Sequence, residues 1–266
     1  MNRNMHRPVL LQEAVDGLDL KDGEVFVDAT YGAGGHTKEV LKRLRNVRAI
    51  TIDQDPAAQA NITGNFRNLD KLLVGVRPDA ILFDLGFSSD QIESSERGFS
   101  FLRDEPLDMR MSKTGITAAE ILNSFDESAI ELILKGFGEE RYSRKIARAI
   151  VESRPLHTTF DLTRAVEKAV KRRGKTNPAT KTFQAIRIAV NEELSALEEG
   201  LAKAWQILKP EGRIAVISFH SLEDRMVKNF AKEKTGKAAK PIIASQAEIK
   251  MNPRARSAKL RVIKKK

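Results

Sequence analysis

The chain contains no cysteine among its 266 residues. Disulfide bonds, thiolate metal sites and cysteine nucleophiles are therefore excluded. No apolar run approaches the roughly 20 residues that a membrane-spanning helix needs. The first residues of the sequence also lack the apolar stretch of a secretory signal peptide. We therefore expect a cytoplasmic protein that does not enter a membrane.

Negative charge is scarce at one end of the chain. The last 42 residues, 225–266, hold 14 basic and two acidic residues, a net charge of +12. The other 224 residues hold 32 basic and 34 acidic residues, a net charge of −2. A basic block of this kind is typical of a protein that binds a polyanion, although a solubilising tail has the same composition. Its interspersed apolar residues predict that part of the block packs on the domain.

Four short apolar runs are typical of buried strands in a parallel sheet covered by helices on both faces. Helical spacing of apolar residues predicts a crossover helix at 37–45 and another at 191–208, before the last strand. The predicted fold is therefore α/β, with a Rossmann-like and mostly parallel sheet. The predicted strands are Glu24–Asp28, Ala49–Asp53, Ala80–Asp84 and Arg213–Phe219.

The chain between about Met109 and Val190 breaks this alternation. It contains a series of helix-like segments and no convincing strand. We therefore predict a helical domain at 109–190, which recognises the substrate and is inserted into a sheet domain formed by 1–108 and 191–266. The predicted helices lie at 118–123, 127–135, 139–153, 162–172 and 182–190.

A glycine-rich turn follows the first predicted strand. From Asp28 it runs Asp-Ala-Thr-Tyr-Gly-Ala-Gly-Gly-His, and the next apolar run ends on Asp53. In an open α/β sheet ligands bind beyond the carboxyl ends of the strands, and an acid at the second strand can accept hydrogen bonds from a ribose. A dinucleotide fingerprint would need a third glycine where Thr37 stands, and a simple turn would explain the glycines equally well. Asp53 favours a nucleoside-cofactor site.

The third predicted strand ends in the sequence Asp-Leu-Gly-Phe-Ser-Ser, residues 84–89. Its acid and hydroxyls would face the same crevice as Asp53. A glycine turn capped by serines would have the same sequence. We favour a reactive centre and predict Asp84, Ser88 and Ser89 as its catalytic residues.

Polar side chains recur along two of the predicted helices. Arg141, Lys145 and Arg148 form a basic stripe, and Gln184, Arg187 and Asn191 form a polar row. Such rows line substrate clefts, but most are simply solvated helix faces. The four histidines are scattered, and the spacing of His220 and Glu223 does not lead us to predict a metal site.

Eight short motifs in a fixed order make the chain resemble the RsmH (MraW) family, bacterial methyltransferases of small-subunit ribosomal RNA. The resemblance runs from His6 to about Arg261. The motifs begin at His6, Asp28, Asp84, Arg97, Pro106, Gly138, Phe183 and Ser218.

The resemblance implies a class I fold that uses S-adenosylmethionine, with an inserted helical domain. It implies methylation of the exocyclic N4 amine of a cytosine in the decoding region of 16S rRNA, so the partner would be that RNA or the small ribosomal subunit. The implied cofactor contacts are Gly34, Gly35, His36, Asp53, Phe66, Asp84 and Gln91. We predict RNA contacts at Arg110, Arg141, Lys145, Arg148, Arg187, Asn191 and His220.

The chain departs from the family pattern just after the second strand. Only nine residues separate Asp55 from Asn65, so we expect the second crossover helix to be short or missing. Phe66, at the end of a predicted strand Ile62–Phe66, would lie on or near the adenine. A nicotinamide-dependent oxidoreductase and a non-catalytic RNA-binding protein of the same fold stay open as alternatives, and so does the choice between monomer and homodimer.

Overall fold

The computed structural model describes residues 8–86, 96–112, 114–170 and 177–266. These residues form two compact units. One comprises the described residues up to Gly86 together with Leu194–Lys266, and the other comprises the described residues between them, ending at Glu193.

The first unit is built on a seven-stranded sheet with the order β3-β2-β1-β4-β5-β7-β6. The first five strands pair in parallel, and β7 runs antiparallel to both β5 and β6. The predicted α/β class and mostly parallel sheet are therefore confirmed. The strands are β1 (Val25–Asp28), β2 (Arg48–Asp53), β3 (Ile62–Thr63), β4 (Ala80–Asp84), β5 (Arg213–Ser218), β6 (Ile242–Ile243) and β7 (Lys259–Lys264).

Helices flank the sheet in the first unit and make up most of the second. In the described ranges, no helix has both the length and the apolar character to cross a membrane. The helices are α1 (Leu11–Leu18), α2 (Gly35–Arg43), α3 (Leu69–Leu72), α4 (Ala118–Ser124), α5 (Glu127–Gly138), α6 (Ser143–Glu152), α7 (Thr159–Ala169), α8 (Thr180–Asn191), α9 (Glu193–Ile207), α10 (Ser221–Thr235) and α11 (Gln246–Met251).

The central strands are buried on both faces, which explains their nearly continuous apolar runs. Successive side chains of β1 point to opposite faces, so Phe26 packs in the core that includes α1 while Val27 packs in the core that includes α9. Both side chains are fully buried. The strand ends are thereby fixed at one edge of the sheet, where the candidate site lies.

The basic C-terminal block contributes to the sheet. Leu260 and Ile263 of β7 are buried, and β7 pairs with β5 along its full length. Arg261 is buried as well, and its Nε donates to Asp224 Oδ1 at 2.8 Å. The prediction that part of this block packs on the domain is confirmed.

The second unit encloses its own helical core. Two of its helices start with a capping box, in which Thr117 pairs with Glu120 and Thr158 with Asp161. Its described residues contain no strand, apart from an isolated antiparallel bridge between Pro106 and Thr158. The predicted helical character of this region is therefore confirmed.

The helical unit starts earlier than the predicted boundary at residue 108. The Gly98 N–H donates to Glu105 Oε2 at 2.9 Å, and the Glu105 N–H donates to Thr159 Oγ1 at 3.1 Å. Phe99 and Leu107 are buried in the helical core. The boundary therefore lies before residue 96, because this loop is hydrogen-bonded to α7. No local pattern in the sequence indicates this contact.

The connection between β2 and β3 is short, as expected. A 3-10 turn, Pro56–Ala58, follows β2, and no α-helix lies between β2 and β3 in this fully described stretch. The predicted strand at 62–66 is corrected, because β3 ends at Thr63 and Phe66 begins a second 3-10 turn. Asn65 causes this ending, since its side chain accepts the Arg67 N–H at 2.9 Å and caps the turn.

Candidate active site

Three carboxylates stand at the carboxyl ends of neighbouring parallel strands. Asp28 ends β1, Asp53 ends β2 and Asp84 ends β4. β1 pairs with both β2 and β4, so the three ends meet at one edge of the sheet. Ligands of open α/β sheets bind at this edge.

Asp28 organises the loop that follows β1. Its Oδ2 accepts a 2.6 Å hydrogen bond from Thr37 Oγ1, and its Oδ1 accepts the Thr30 N–H at 3.3 Å. The Thr30 hydroxyl oxygen in turn accepts the Asp84 N–H at 2.6 Å. Burial raises the pKa of Asp28 to about 6, even though the Thr37 hydrogen bond opposes the rise. Asp28 therefore joins the glycine loop to the end of β4.

The two predicted cofactor glycines are required by contacts within the chain. Gly34 has φ +72°, and a Cβ there would lie 2.5 Å from the Tyr31 ring. A Cβ at Gly35 would lie 2.1 Å from Pro8 Cγ. Since real Cβ atoms do not approach so closely, the loop can close in this form only with glycine at both positions.

Asp53 ties the end of β2 to the glycine loop. Its Oδ2 accepts the Gly32 N–H and its Oδ1 accepts the Asp55 N–H, both at 2.8 Å. Burial raises the pKa of Asp53, and the two backbone hydrogen bonds oppose that rise. A carboxylate has about four acceptor positions, so Asp53 keeps capacity for the hydroxyls of a ribose.

His36 and Asp84 lie beside each other at the site. The His36 ring lies 3.1 Å from the Val9 carbonyl oxygen through Nε2, and its Nδ1 lies 3.6 Å from Asp84 Oδ2. Burial lowers the pKa of His36. The neutral ring then donates from Nε2 to Val9, which leaves Nδ1 without a proton beside Asp84.

Asp84 has unused hydrogen-bonding capacity. Its Oδ1 is buried and has no hydrogen-bond partner among the described residues. Burial raises the pKa of Asp84 to about 7; the nearby carboxylate of Glu223 adds to the rise, and the charge of Arg254 opposes it. Asp84 can therefore hold or release a proton near neutral pH.

Several predicted site residues cannot be placed with Asp84. Ser88, Ser89 and Gln91 lie outside the described residues, so Asp84 alone represents the predicted catalytic group. Phe66 is described: its ring meets the Phe83 ring edge-on at 5.4 Å. A Cβ at Gly200 would lie 2.6 Å from the Phe66 ring, so Phe66 packs closely between β4 and α9.

Three of the predicted RNA contacts brace the helical unit. Arg187 makes a two-pronged ion pair with Glu193, with both distances at 2.7 Å. Asn191 accepts the Met111 N–H at 2.7 Å and donates to the Met109 carbonyl at 2.8 Å. Arg110 is likewise paired, with Asp108, at 2.7 Å. Their contact with RNA stays a prediction.

The other predicted RNA contacts differ in exposure. Arg141, Lys145 and Arg148 are exposed, whereas the side chain of His220 is only 8% exposed. His220 is the N-cap of α10, and its Nδ1 accepts the Glu223 N–H at 3.4 Å. Its Nε2 lies 3.2 Å from Glu223 Oε1. The structure thus gives His220 a capping role, and its RNA contact stays a prediction.

Comparison with known proteins identifies the family. The sequence model of the MraW methylase family matches residues 3–266. The chain belongs to the MraW methylase family. It is therefore a methyltransferase, and its methyl donor is S-adenosylmethionine. Membership in this family does not favour the oxidoreductase alternative.

Relatives in several bacteria match this methylase over nearly its whole length. The protein of Caulobacter vibrioides is 44% identical, with 98% of this chain and 96% of the relative covered. That of Deinococcus radiodurans is 46% identical, with 97% and 88% covered. That of Carboxydothermus hydrogenoformans is 43% identical, with 98% and 97% covered. All three are named ribosomal RNA small subunit methyltransferase H.

The residues at the strand ends of this methylase fit S-adenosylmethionine. The unpartnered Asp84 Oδ1 is an acceptor that a hydrogen-bond donor of a ligand would satisfy. Asp53 stands where a ribose is held in related sheets. Contact of these two carboxylates with the cofactor stays a prediction.

The sequence prediction missed the residues that support this site. Asp28, Thr30 and Thr37 hold the loop through hydrogen bonds but were not among the predicted contacts. The contact between Thr37 and Asp28 could have been predicted from the sequence. Thr37 lies in the first turn of α2, and Asp28, nine residues earlier, ends the strand before that helix. The influence of Glu223 and Arg254 on Asp84 arises from the tertiary fold and had no such signal.

Proposed function

We propose that this methylase transfers a methyl group to the exocyclic N4 amine of a cytosine in the decoding region of 16S rRNA. The relatives' names support the small-subunit RNA as substrate. The choice of the N4 amine rests on the motif resemblance. The observation that carries the chemistry is a carboxyl group, Asp84, at a strand end, with a pKa raised to about 7 and one oxygen that no described residue contacts through a hydrogen bond.

The cytosine amine is a weak nucleophile, because its lone pair is conjugated with the ring. When bound, S-adenosylmethionine supplies an electrophilic methyl group, so the protein has mainly to hold the amine in line with it. The reaction replaces an N–H bond by an N–CH3 bond and releases one proton. We assign two roles to Asp84. Its carboxylate accepts a hydrogen bond from the amine N–H, and it then takes up the released proton, because its pKa lies close to neutral pH.

The target base has to leave its stack to reach the strand ends. In this proposal the helical unit binds the surrounding RNA. Its exposed basic residues Arg141, Lys145 and Arg148 support that role, because contacts to phosphates supply most of the affinity for a nucleic acid. The proposal thereby assigns substrate recognition to the helical unit and chemistry to the sheet unit.

The test is transfer of a radiolabelled methyl group to 16S rRNA from a strain that lacks the modification. The wild type should label this RNA, as free RNA or as the assembled subunit. Asp84→Asn should lower kcat. The matched control is Asp22→Asn, which changes an exposed acid and keeps an oxygen for the Arg45 N–H; it should retain wild-type kcat.

Two results would count against the proposal. Full turnover of Asp84→Asn with unchanged cofactor affinity would remove Asp84 from the mechanism. RNA binding without methyl incorporation by the wild type would instead favour a non-catalytic RNA-binding protein. Calorimetry with S-adenosylmethionine and with NAD provides the affinity and should detect binding of the former alone.

A further inference from the structure

We propose that a groove between α6 and α7 binds a backbone phosphate of the RNA substrate. This interhelix groove has a volume of about 390 Å³. This assignment rests on the proposed function for the identity of the RNA, and it adds a binding site for one backbone phosphate of that RNA. The groove is lined by Lys145, Arg148, Ala149, Glu152, Ser153, Lys168 and Ala169.

The shape of the interhelix groove follows from small side chains. Ala149 on α6 and Ala169 at the end of α7 line it, and neither side chain extends beyond Cβ. Longer side chains at these positions would fill the space between the helices. The volume lies near the lower end of the range of roughly 300–1,000 Å³ that is usual for small-ligand sites. The groove therefore suits a single chemical group rather than a helix or a strand.

The charge of the interhelix groove is positive on both walls. Lys145 and Arg148 come from α6, Lys168 comes from α7, and Glu152 is the single acid of the lining. All four side chains are exposed. Among the described residues that line it, the groove thus has three cations against one carboxylate, which gives a net charge of +2.

The groove cations are held only weakly by the protein. Arg148 Nε lies 3.8 Å from Glu127 Oε1, and the two side chains are 62% and 38% exposed. Such exposed pairs contribute little to stability and exchange readily with other partners. Lys168 Nζ lies 3.5 Å from Ser153 Oγ, a neutral group. An incoming anion would therefore find the cations available.

A phosphate can accept hydrogen bonds from all of these groups, because it has several acceptor oxygens. The guanidinium offers two parallel donors, the ammonium groups offer compact charges, and the Ser153 hydroxyl adds a neutral donor. The enzyme acts on RNA, whose backbone presents one such phosphate for each nucleotide. An acidic segment of a ribosomal protein is the competing occupant, and the experiment distinguishes it.

The experiment measures the affinity of the full-length enzyme for a single-stranded fragment of small-subunit rRNA over a series of KCl concentrations. The groove variant is Lys145→Gln with Lys168→Gln, one change on each wall. The control variant is Lys135→Gln with Arg164→Gln, two exposed cations of the same unit that do not line the groove. Both variants lose the same charge.

The groove variant should bind the RNA more weakly, and the slope of log Kd against log salt should fall by about 0.7, because the groove holds one phosphate and each phosphate contact on a single strand accounts for about 0.7. The control variant should keep the wild-type slope. Glu152→Gln should bind more tightly than the wild type, because it removes the acid from the groove.

Equal slopes for the groove and control variants would overturn the proposal. A groove variant that binds free RNA normally but binds assembled small subunits poorly would also overturn it, in favour of a ribosomal protein. Methyl transfer to the same RNA by the wild type is measured alongside. If transfer is absent, the proposed function fails, whereas normal transfer with equal slopes means that the groove assignment alone fails.

Discussion

The raised pKa of Asp84 predicts how the stability of the protein changes with pH. The folded state holds the Asp84 proton up to about pH 7, whereas the unfolded chain releases it near 3.8. Between these values the folded state binds more protons than the unfolded chain does. The free energy of unfolding contributed by Asp84 therefore falls as pH rises through this window. Asp84→Asn removes the titration and should remove this loss.

The size of the effect follows from the shift. A difference of about 3 pKa units corresponds to about 4 kcal/mol when the whole window is crossed. Between pH 5 and pH 8, which covers part of the window, the loss is about 2.5 kcal/mol. The Asp84 side chain is 23% exposed, so screening by solvent makes this an upper value.

Urea unfolding of the wild type and of Asp84→Asn at several pH values between 5 and 8 measures the effect. The quantity to compare is the difference between the two proteins, because the titrations of groups remote from Asp84 are common to both. As the pH rises, the free energy of unfolding of Asp84→Asn should increase relative to that of the wild type by up to about 2.5 kcal/mol. Asp22→Asn is the control, because it also removes one carboxylate, Asp22 is exposed and asparagine keeps an oxygen for the Arg45 N–H. A constant difference between wild type and Asp84→Asn at every pH would refute the reasoning.

Three further substitutions test the packing and the glycine loop. Lys265→Met should lower the free energy of unfolding by about 1–3 kcal/mol in urea denaturation, because the ammonium donates to two carbonyls at the end of α9. Asn191→Ala should lower it by about 2–4 kcal/mol, because a backbone donor and an acceptor lose their partner, and Asn191→Asp, which keeps the acceptor, should cost less. Gly35→Ala should weaken binding of S-adenosylmethionine in calorimetry about tenfold, because its Cβ would overlap Pro8. Gly136→Ala, where a Cβ meets nothing within 4 Å, should leave that affinity unchanged.

The sheet could be predicted because its signals are local. Each central strand is a short apolar run that ends on a polar residue, and β4 begins and ends where the sequence predicted, at Ala80 and Asp84. β1, β4 and β5 are buried on both faces, so their apolar pattern is uninterrupted. The three carboxylates at the strand ends followed from the same reasoning, since parallel strands end at one edge.

The start of the helical unit could not be predicted in the same way. Glu105 is buried and bonds to Gly98 and Thr159, partners 7 and 54 residues away in the chain. A side chain with such distant partners leaves no periodic pattern. The start of α10 shows the same difficulty on a smaller scale, because Ser221 is the usual capping residue and His220 caps instead.

The chemical state of the site also depends on tertiary contacts. Asp84 ends a buried strand, and its pKa is raised first by burial and then by Glu223, a carboxylate of α10 that lies 139 residues further along the chain. The sequence therefore located the acid and left its pKa undetermined. It also suggested a ligand role for Arg187, whose guanidinium is held by Glu193 in the fold.

The most direct test of the central claim is mass-spectrometric mapping of the methylated nucleotide. The enzyme is incubated with S-adenosylmethionine and with 16S rRNA or small subunits from a strain that lacks the modification. The account predicts one added methyl group, on the N4 amine of a cytosine in the decoding region, and a much lower yield with Asp84→Asn. A methyl group on another base or another atom, or equal yields from the two proteins, would contradict it.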